Sequence, residues 1–156
     1  MTESKEPNPD EESTENSSVS DADSKKRKLF VGLDLGTLQS CILSRLSKPG
    51  SDENSGILVP SVVGYPEDGI LAGILPGNAK MLHGDEALAN ELHLRLVHPL
   101  SDGVVSDLEA TKSFLSYLRE KVDPERKREV YCVIGIPAVA DADAKENLKK
   151  ASKGAF

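Results

Sequence analysis

The 156-residue chain is poor in cysteine, in long apolar runs and in surplus positive charge, and each shortage excludes a class of protein. Its two cysteines, Cys41 and Cys132, lie far apart, each within an apolar run and neither in a CxxC pair. Reduced core thiols in a reducing cytoplasm are therefore expected ahead of a disulfide or a cysteine zinc site. No stretch of about 18 apolar residues occurs, and the N-terminus has no apolar core of a signal peptide, so neither export nor a transmembrane segment is expected. The net charge is −7, and Met1–Ser24 accounts for it with eight acidic side chains against one lysine. The other 132 residues carry 18 charges of each sign. They offer no basic field for a phosphate backbone, so nucleic acid is not an expected partner. There is no GxxxxGK[ST] cradle. His83, His93 and His98 form neither HExxH nor a tight pair, and they read as structural or surface residues rather than metal ligands.

Two regions follow from composition. Residues 1–27 are expected to be a disordered acidic tail with a basic end. Within Met1–Ser24 only Met1, Val19 and Ala22 are apolar, too few to offset the entropy of ordering. The run Lys25–Lys28 that follows suits a solvated lead-in to the first strand, or a docking arm for a membrane surface or partner. Residues 28–156 form the second region, long enough for a single core.

Within it, the almost wholly apolar Leu29–Leu33 reads as a central strand covered on both faces. Ser40–Leu46 gives a second strand and Pro49–Gly56 a polar loop. Ile57–Val63 is expected as a third strand, with Pro60 marking an edge or a bend. Gly64–Asn78 is a glycine- and proline-rich excursion, and in Ala79–Leu96 Asp85 is placed to cap a short helix. Ser106 and Glu109 have capping-box spacing ahead of the stripe Leu108, Thr111, Leu115, Leu118, Val122, a core-facing helix that Pro124 ends. Glu129–Ile136 is a further apolar strand. A helix over Asp141–Lys153 follows, with Gly154 at the position just past its end. A helical crossover lets the strand at Val130 run parallel to the one at Leu29. The fold class is therefore α/β, a mixed sheet that opens with a hairpin.

The turn of that hairpin, Asp34-Leu35-Gly36-Thr37, carries the chemistry. A carboxylate ends the first strand, and a glycine lets successive backbone N–H groups face an anion. By itself the pattern suits an ordinary hairpin turn equally well. Elsewhere, Asp85-Glu86 are neighbours that point in different directions, which fits capping better than acid–base work. Asp102-Gly103 reads as a turn, and Ser40 has no basic partner at a nucleophile's spacing.

The segment VGLDLGT resembles the first phosphate loop of actin-like ATPases, the ribonuclease H-like superfamily of actins, bacterial cell-shape filaments, seventy-kilodalton chaperones and sugar kinases. PSVVGYPED at Pro60–Asp68, HGDEA at His83–Ala87, HPLSDGVVSD at His98–Asp107 and VIGIPA at Val133–Ala138 follow in the family's order. Within the superfamily the MamK type of magnetosome filament is nearest in pattern, with the MreB type behind it. The resemblance spans about Leu29–Phe156 and implies the first lobe of a nucleotide-binding domain, with a phosphate-binding β-hairpin. It implies ATP and Mg2+ as ligands. Asp34 would hold the metal through water, and Gly36, Thr37 and the Leu38 amide would wrap the β- and γ-phosphates. It also implies self-association into filaments when the protein is intact, magnetosome or filament-associated partners, and a cytoplasmic, cytoskeletal location.

In the resemblance, the second phosphate loop, the adenosine site and the residue that positions the attacking water all come after the second helix. The 156 residues are therefore expected to be the N-terminal half of such an ATPase, without useful hydrolysis on their own. An unpaired apolar edge at the Val130 strand is expected to make them prone to aggregate. A sugar-kinase or chaperone-like member of the superfamily is the second enzymatic reading, and a short filament-capping module the non-enzymatic one.

Overall fold

A computed structural model describes residues 28–46, 54–69 and 73–156, so the expectations for the acidic tail, and for the loop through residue 53, lie outside the described residues. The main sheet has four strands, β1 (Lys28–Leu35), β2 (Gln39–Leu46), β3 (Asn54–Pro60) and β9 (Glu129–Gly135), in the order β3-β2-β1-β9. β1 and β2 form the antiparallel hairpin read from the sequence, and β9 lies parallel to β1 with Leu29 opposite Val130. The polar loop expected to reach Gly56 ends sooner, because Asn54–Gly56 already pair with Leu43–Arg45 of β2.

One face of β1 makes the core. Leu29, Val31, Leu33 and Leu35 alternate inward and pack with Phe114, Leu115 and Leu118 of α2 (Leu108–Val122). Each such burial contributes about 1.5–3 kcal/mol, so this face fixes the position of β1. Leu148 and Ala151 of α3 (Ala142–Ser152) close the same cluster. The other face is open among the described residues: Phe30 is 46% exposed, Leu43 54%, Leu58 60% and Val133 76%. The expectation that β1 is covered on both faces is thus met on one face only.

Several local expectations shift. The third strand does not run through Val63, since Pro60 ends β3 at the sheet edge and the chain turns at Ser61 and Val62. Val63 then begins β4 (Val63–Pro66), which pairs with β5 (Leu82–His83) and β6 (Leu94–Val97) in a second small sheet absent from the sequence reading. The short helix α1 (Gly84–Ala89) is capped at His83 with no side-chain bond, so Asp85 sits in its first turn and is not the cap. On α2 the cap is Asp107, whose Oδ1 accepts from the Ala110 N–H at 2.9 Å. Ser106 donates to the His98 carbonyl instead, so an aspartate cap replaces the expected capping box. On α3 Asp141 caps through the Ala144 N–H at 2.8 Å, and Gly154 takes the left-handed conformation expected beyond the helix end. Asp102 and Gly103 both have positive φ, which makes the turn between β7 (Leu100–Ser101) and β8 (Val104–Val105).

Candidate functional site

The alternation that buries Leu33 and Leu35 turns Asp34 to the opposite, open face of the sheet, where it is exposed. Its cross-strand neighbours are Cys41 on β2 and Gly135 on β9. Gly135 carries no side chain, and the carboxylate stands exposed at the C-terminal end of two parallel strands. That end of an open α/β sheet is where ligands ordinarily bind.

Gly36 is required sterically. A Cβ there would lie 2.4 Å from the Gln39 carbonyl oxygen, so the turn closes only without a side chain. The turn is clasped from below. The Leu38 carbonyl accepts the Ser61 N–H at 2.9 Å, and the Ser40 and Ser61 hydroxyls, both fully buried, meet at 2.7 Å. His98 Nδ1 stands 3.0 Å from the Ser61 carbonyl. Two serines and a histidine from three separate segments thus hold the Leu38 end of the turn, while the Leu38 side chain is 72% exposed. Ser40 is a clasp residue. The sequence reading gave Ser61 and Gly135 no role and took His98 as a structural or surface residue, although the three lie in the quoted segments PSVVGYPED, VIGIPA and HPLSDGVVSD.

Asp34, Gly36, Thr37 and Leu38 are therefore contiguous on one hairpin tip, with a single carboxylate. No group of three or more His, Cys, Asp or Glu is gathered anywhere among the described residues. One carboxylate is a sufficient protein contribution for Mg2+, which keeps several waters and takes its other ligands from phosphate oxygens. The donor set fits a magnesium nucleotide on that ground.

Other titratable groups are structural. His83 Nε2 lies 2.7 Å from the Ser113 hydroxyl and the ring stacks on Tyr117, while burial lowers its pKa against the opposing pull of Glu120 and Glu86. Burial pushes the Cys132 thiol up to about 11, so it is no reactive thiolate. Burial would also raise the Asp123 carboxyl, but hydrogen bonds from the Arg128 N–H and from Arg119 outweigh it and hold the group below its ordinary value.

The family model described as MreB/Mbl protein matches residues 28–155. The actin-like protein MamK of Paramagnetospirillum magneticum is 35% identical over 130 residues, covering 80% of this chain and 35% of that protein. MamK of Magnetospirillum gryphiswaldense is also 35% identical, with 80% and 34% covered. Among solved structures, a MamK double helical filament superposes with a TM-score of 0.69 at 33% identity, over 81% of this chain and 38% of that one. MreB5 of Spiroplasma citri bound to ADP superposes at 0.55 with 24% identity, over 82% and 35%, a likeness of fold alone. The chain spans about a third of the length of the curated relatives it matches.

Proposed function

Because the chain belongs to the MreB/Mbl protein family, we propose that it is the nucleotide-binding first lobe of an actin-type cytoskeletal filament protein of the MamK kind. In this reading it binds ATP with Mg2+ at the hairpin tip and self-associates into filaments when joined to the rest of an actin-like fold. The observation that carries the proposal is Asp34 at the end of β1, exposed opposite Gly135 and next to a turn that excludes a Cβ at Gly36. Asp34 would hold the metal through water, and the amides of Gly36, Thr37 and Leu38 would face the phosphates. Bound magnesium would neutralise phosphate charge. This chain's own part is to fix the turn, through Ser40, Ser61 and His98, so that its amides meet the anion already oriented. The filament-forming relatives support a cytoskeletal role over a kinase or chaperone role, and a MamK-type protein would work in the cytoplasm with magnetosome-associated partners. No helix among the described residues is long and apolar enough to cross a membrane.

The test replaces the matching third of a MamK relative with residues 28–155. The chimera should sediment as filaments with MgATP, and the same chimera carrying Asp34→Ala should stay in the supernatant. Equal, ATP-dependent sedimentation of both would refute the placement of the metal at Asp34.

A further inference from the structure

The corner where β5 meets α1 is weakly built. β5 lies at the edge of the small sheet and pairs with β4 only through His83 with Val63 and Leu82 with Gly64. α1 has six residues, and its cap, His83, gives it no side-chain hydrogen bond. A helix that short does not hold itself in water, so the corner is fixed by its seat on the body of the fold. That seat is close. Gly84 takes a φ of +57°, its N–H donates to the Val62 carbonyl at 3.0 Å, and a Cβ there would lie 2.9 Å from Val59 Cγ1 and 3.2 Å from the Tyr117 hydroxyl oxygen.

The polar pin of the seat is Ser113 of α2. Its hydroxyl donates to Met81 Sδ at 2.8 Å, so it accepts from the Nε2–H of His83 at 2.7 Å. The His83 ring also stacks on Tyr117, with centroids 4.9 Å and planes 11° apart. Its other nitrogen, Nδ1, makes no hydrogen bond among the described residues. A second proton therefore adds a charge and an unmatched donor to a half-buried ring. The charged groups around the ring are divided. Glu120 of α2 and Glu86 of α1 favour the imidazolium, the Lys121 ammonium, 5.0 Å over the same Tyr117 ring, is a like charge, and β3 and β4 present Val59 and Val63. Burial outweighs the two glutamates and lowers the His83 pKa, and Glu120 is already shared with Arg126 at 3.3 Å.

We propose that His83 is a proton-operated latch: neutral, it holds the β5–α1 corner on α2, and protonated, it lets the corner lift while the main sheet stays folded. The opening is local because it breaks little. Lifting Met81–Asn90 ends two strand pairs, frees the Ser113 and Tyr117 contacts and withdraws Leu82 and Ala87 from the small sheet's own cluster. β1 and α2 stay joined through Leu33, Phe114 and Leu118 in the separate main core. The lifted corner uncovers Val59, Val62 and the Tyr117 ring. A lifted imidazole takes up its proton near the ordinary value of 6.5 and a seated one only at lower pH, so opening rises as pH falls through 6.5 and levels off below the seated value.

Hydrogen exchange of the full chain at low micromolar concentration, read by mass spectrometry and corrected for the intrinsic rate at each pH, tests this. Amides of Met81–Asn90 should exchange at least about tenfold faster than those of Phe114–Leu118, and should gain about threefold or more between pH 7.5 and 5.5. About 0.5 M urea should speed the α2 amides and leave the corner unchanged, because a local opening exposes little surface. His83→Gln still offers Ser113 a donor and takes up no proton, so its corner should show no gain at pH 5.5. Ser113→Ala should speed the corner at pH 7.5 and leave the α2 amides as they were. A corner that exchanges at the α2 rate and with its urea dependence, a corner indifferent to pH, or a gain that persists in His83→Gln would each overturn the proposal.

Discussion

Two glycines of the opening hairpin should respond oppositely to the same added methyl group. Alanine at Gly36 places its Cβ 2.4 Å from the Gln39 carbonyl oxygen and 3.5 Å from the carbonyl carbon. That oxygen belongs to backbone that cannot retreat freely, because Gln39 pairs with Pro60 and the preceding carbonyl holds the Ser61 N–H. The turn must therefore open, at the cost of overpacking a tight site, about 1–3 kcal/mol. Against a total stability of about 5–15 kcal/mol that is a large fraction. Four residues earlier, alanine at Gly32 meets nothing closer than the Leu43 Cβ at 4.0 Å, an ordinary contact. There the methyl group chiefly restricts the unfolded chain, a gain of about 0.4–1 kcal/mol. Urea unfolding at low micromolar protein should move the midpoint down for Gly36→Ala and up, or not at all, for Gly32→Ala. In the MamK chimera Gly36→Ala should also weaken MgATP binding, while Gly32→Ala should not. Equal midpoints for the two variants would refute the steric account of the turn, and unchanged nucleotide affinity in Gly36→Ala would separate the turn from the phosphate site.

Replacing Asp123 by Asn should cost about 3–5 kcal/mol, since it strands the buried Arg119 charge, and Arg119→Leu combined with Asp123→Leu should recover most of it in the same urea titration. Stability should decline as pH falls below about 6.5, because burial keeps the folded His83 neutral while the unfolded ring takes up a proton near its ordinary value. The Asp123 contribution has the opposite cause and persists until pH falls below its ordinary value of 3.8, so a melting temperature that is flat between pH 7.5 and 5.5 would contradict the His83 assignment. The outer edge of β9 has no strand partner among the described residues, and Tyr131 and Val133 stand 43% and 76% exposed on it, so the 156-residue chain should associate with rising concentration in sedimentation velocity. Val133→Lys should reduce that association.

What the sequence revealed and what it hid divide along the range of the interactions. β1, β2, β9, α2 and α3 were legible because each carries its own local signal: the apolar runs of β1 and β9, the stripe of α2, and Asp141 and Gly154 at the ends of α3. The second small sheet was not legible, since β4, β5 and β6 are two to four residues long and hold together only by pairing Val63 with both His83 and Val97 across the chain. The capping box failed by one residue for a related reason. Ser106 and Asp107 are both good caps, and the choice between them fell to the His98 carbonyl, which takes the Ser106 hydroxyl and leaves Asp107 for the helix. The site divides the same way. Asp34 and Gly36 are local to one turn, whereas Ser61 and His98 reach that turn from 21 and 58 residues beyond Ser40, a distance no pattern within a window can register. Even the both-faces reading of β1 erred consistently with this. An apolar Phe30 reports that a strand can be covered, but which element covers it is decided by chain that lies elsewhere, and here the face that Phe30 shares with Asp34 is the open one.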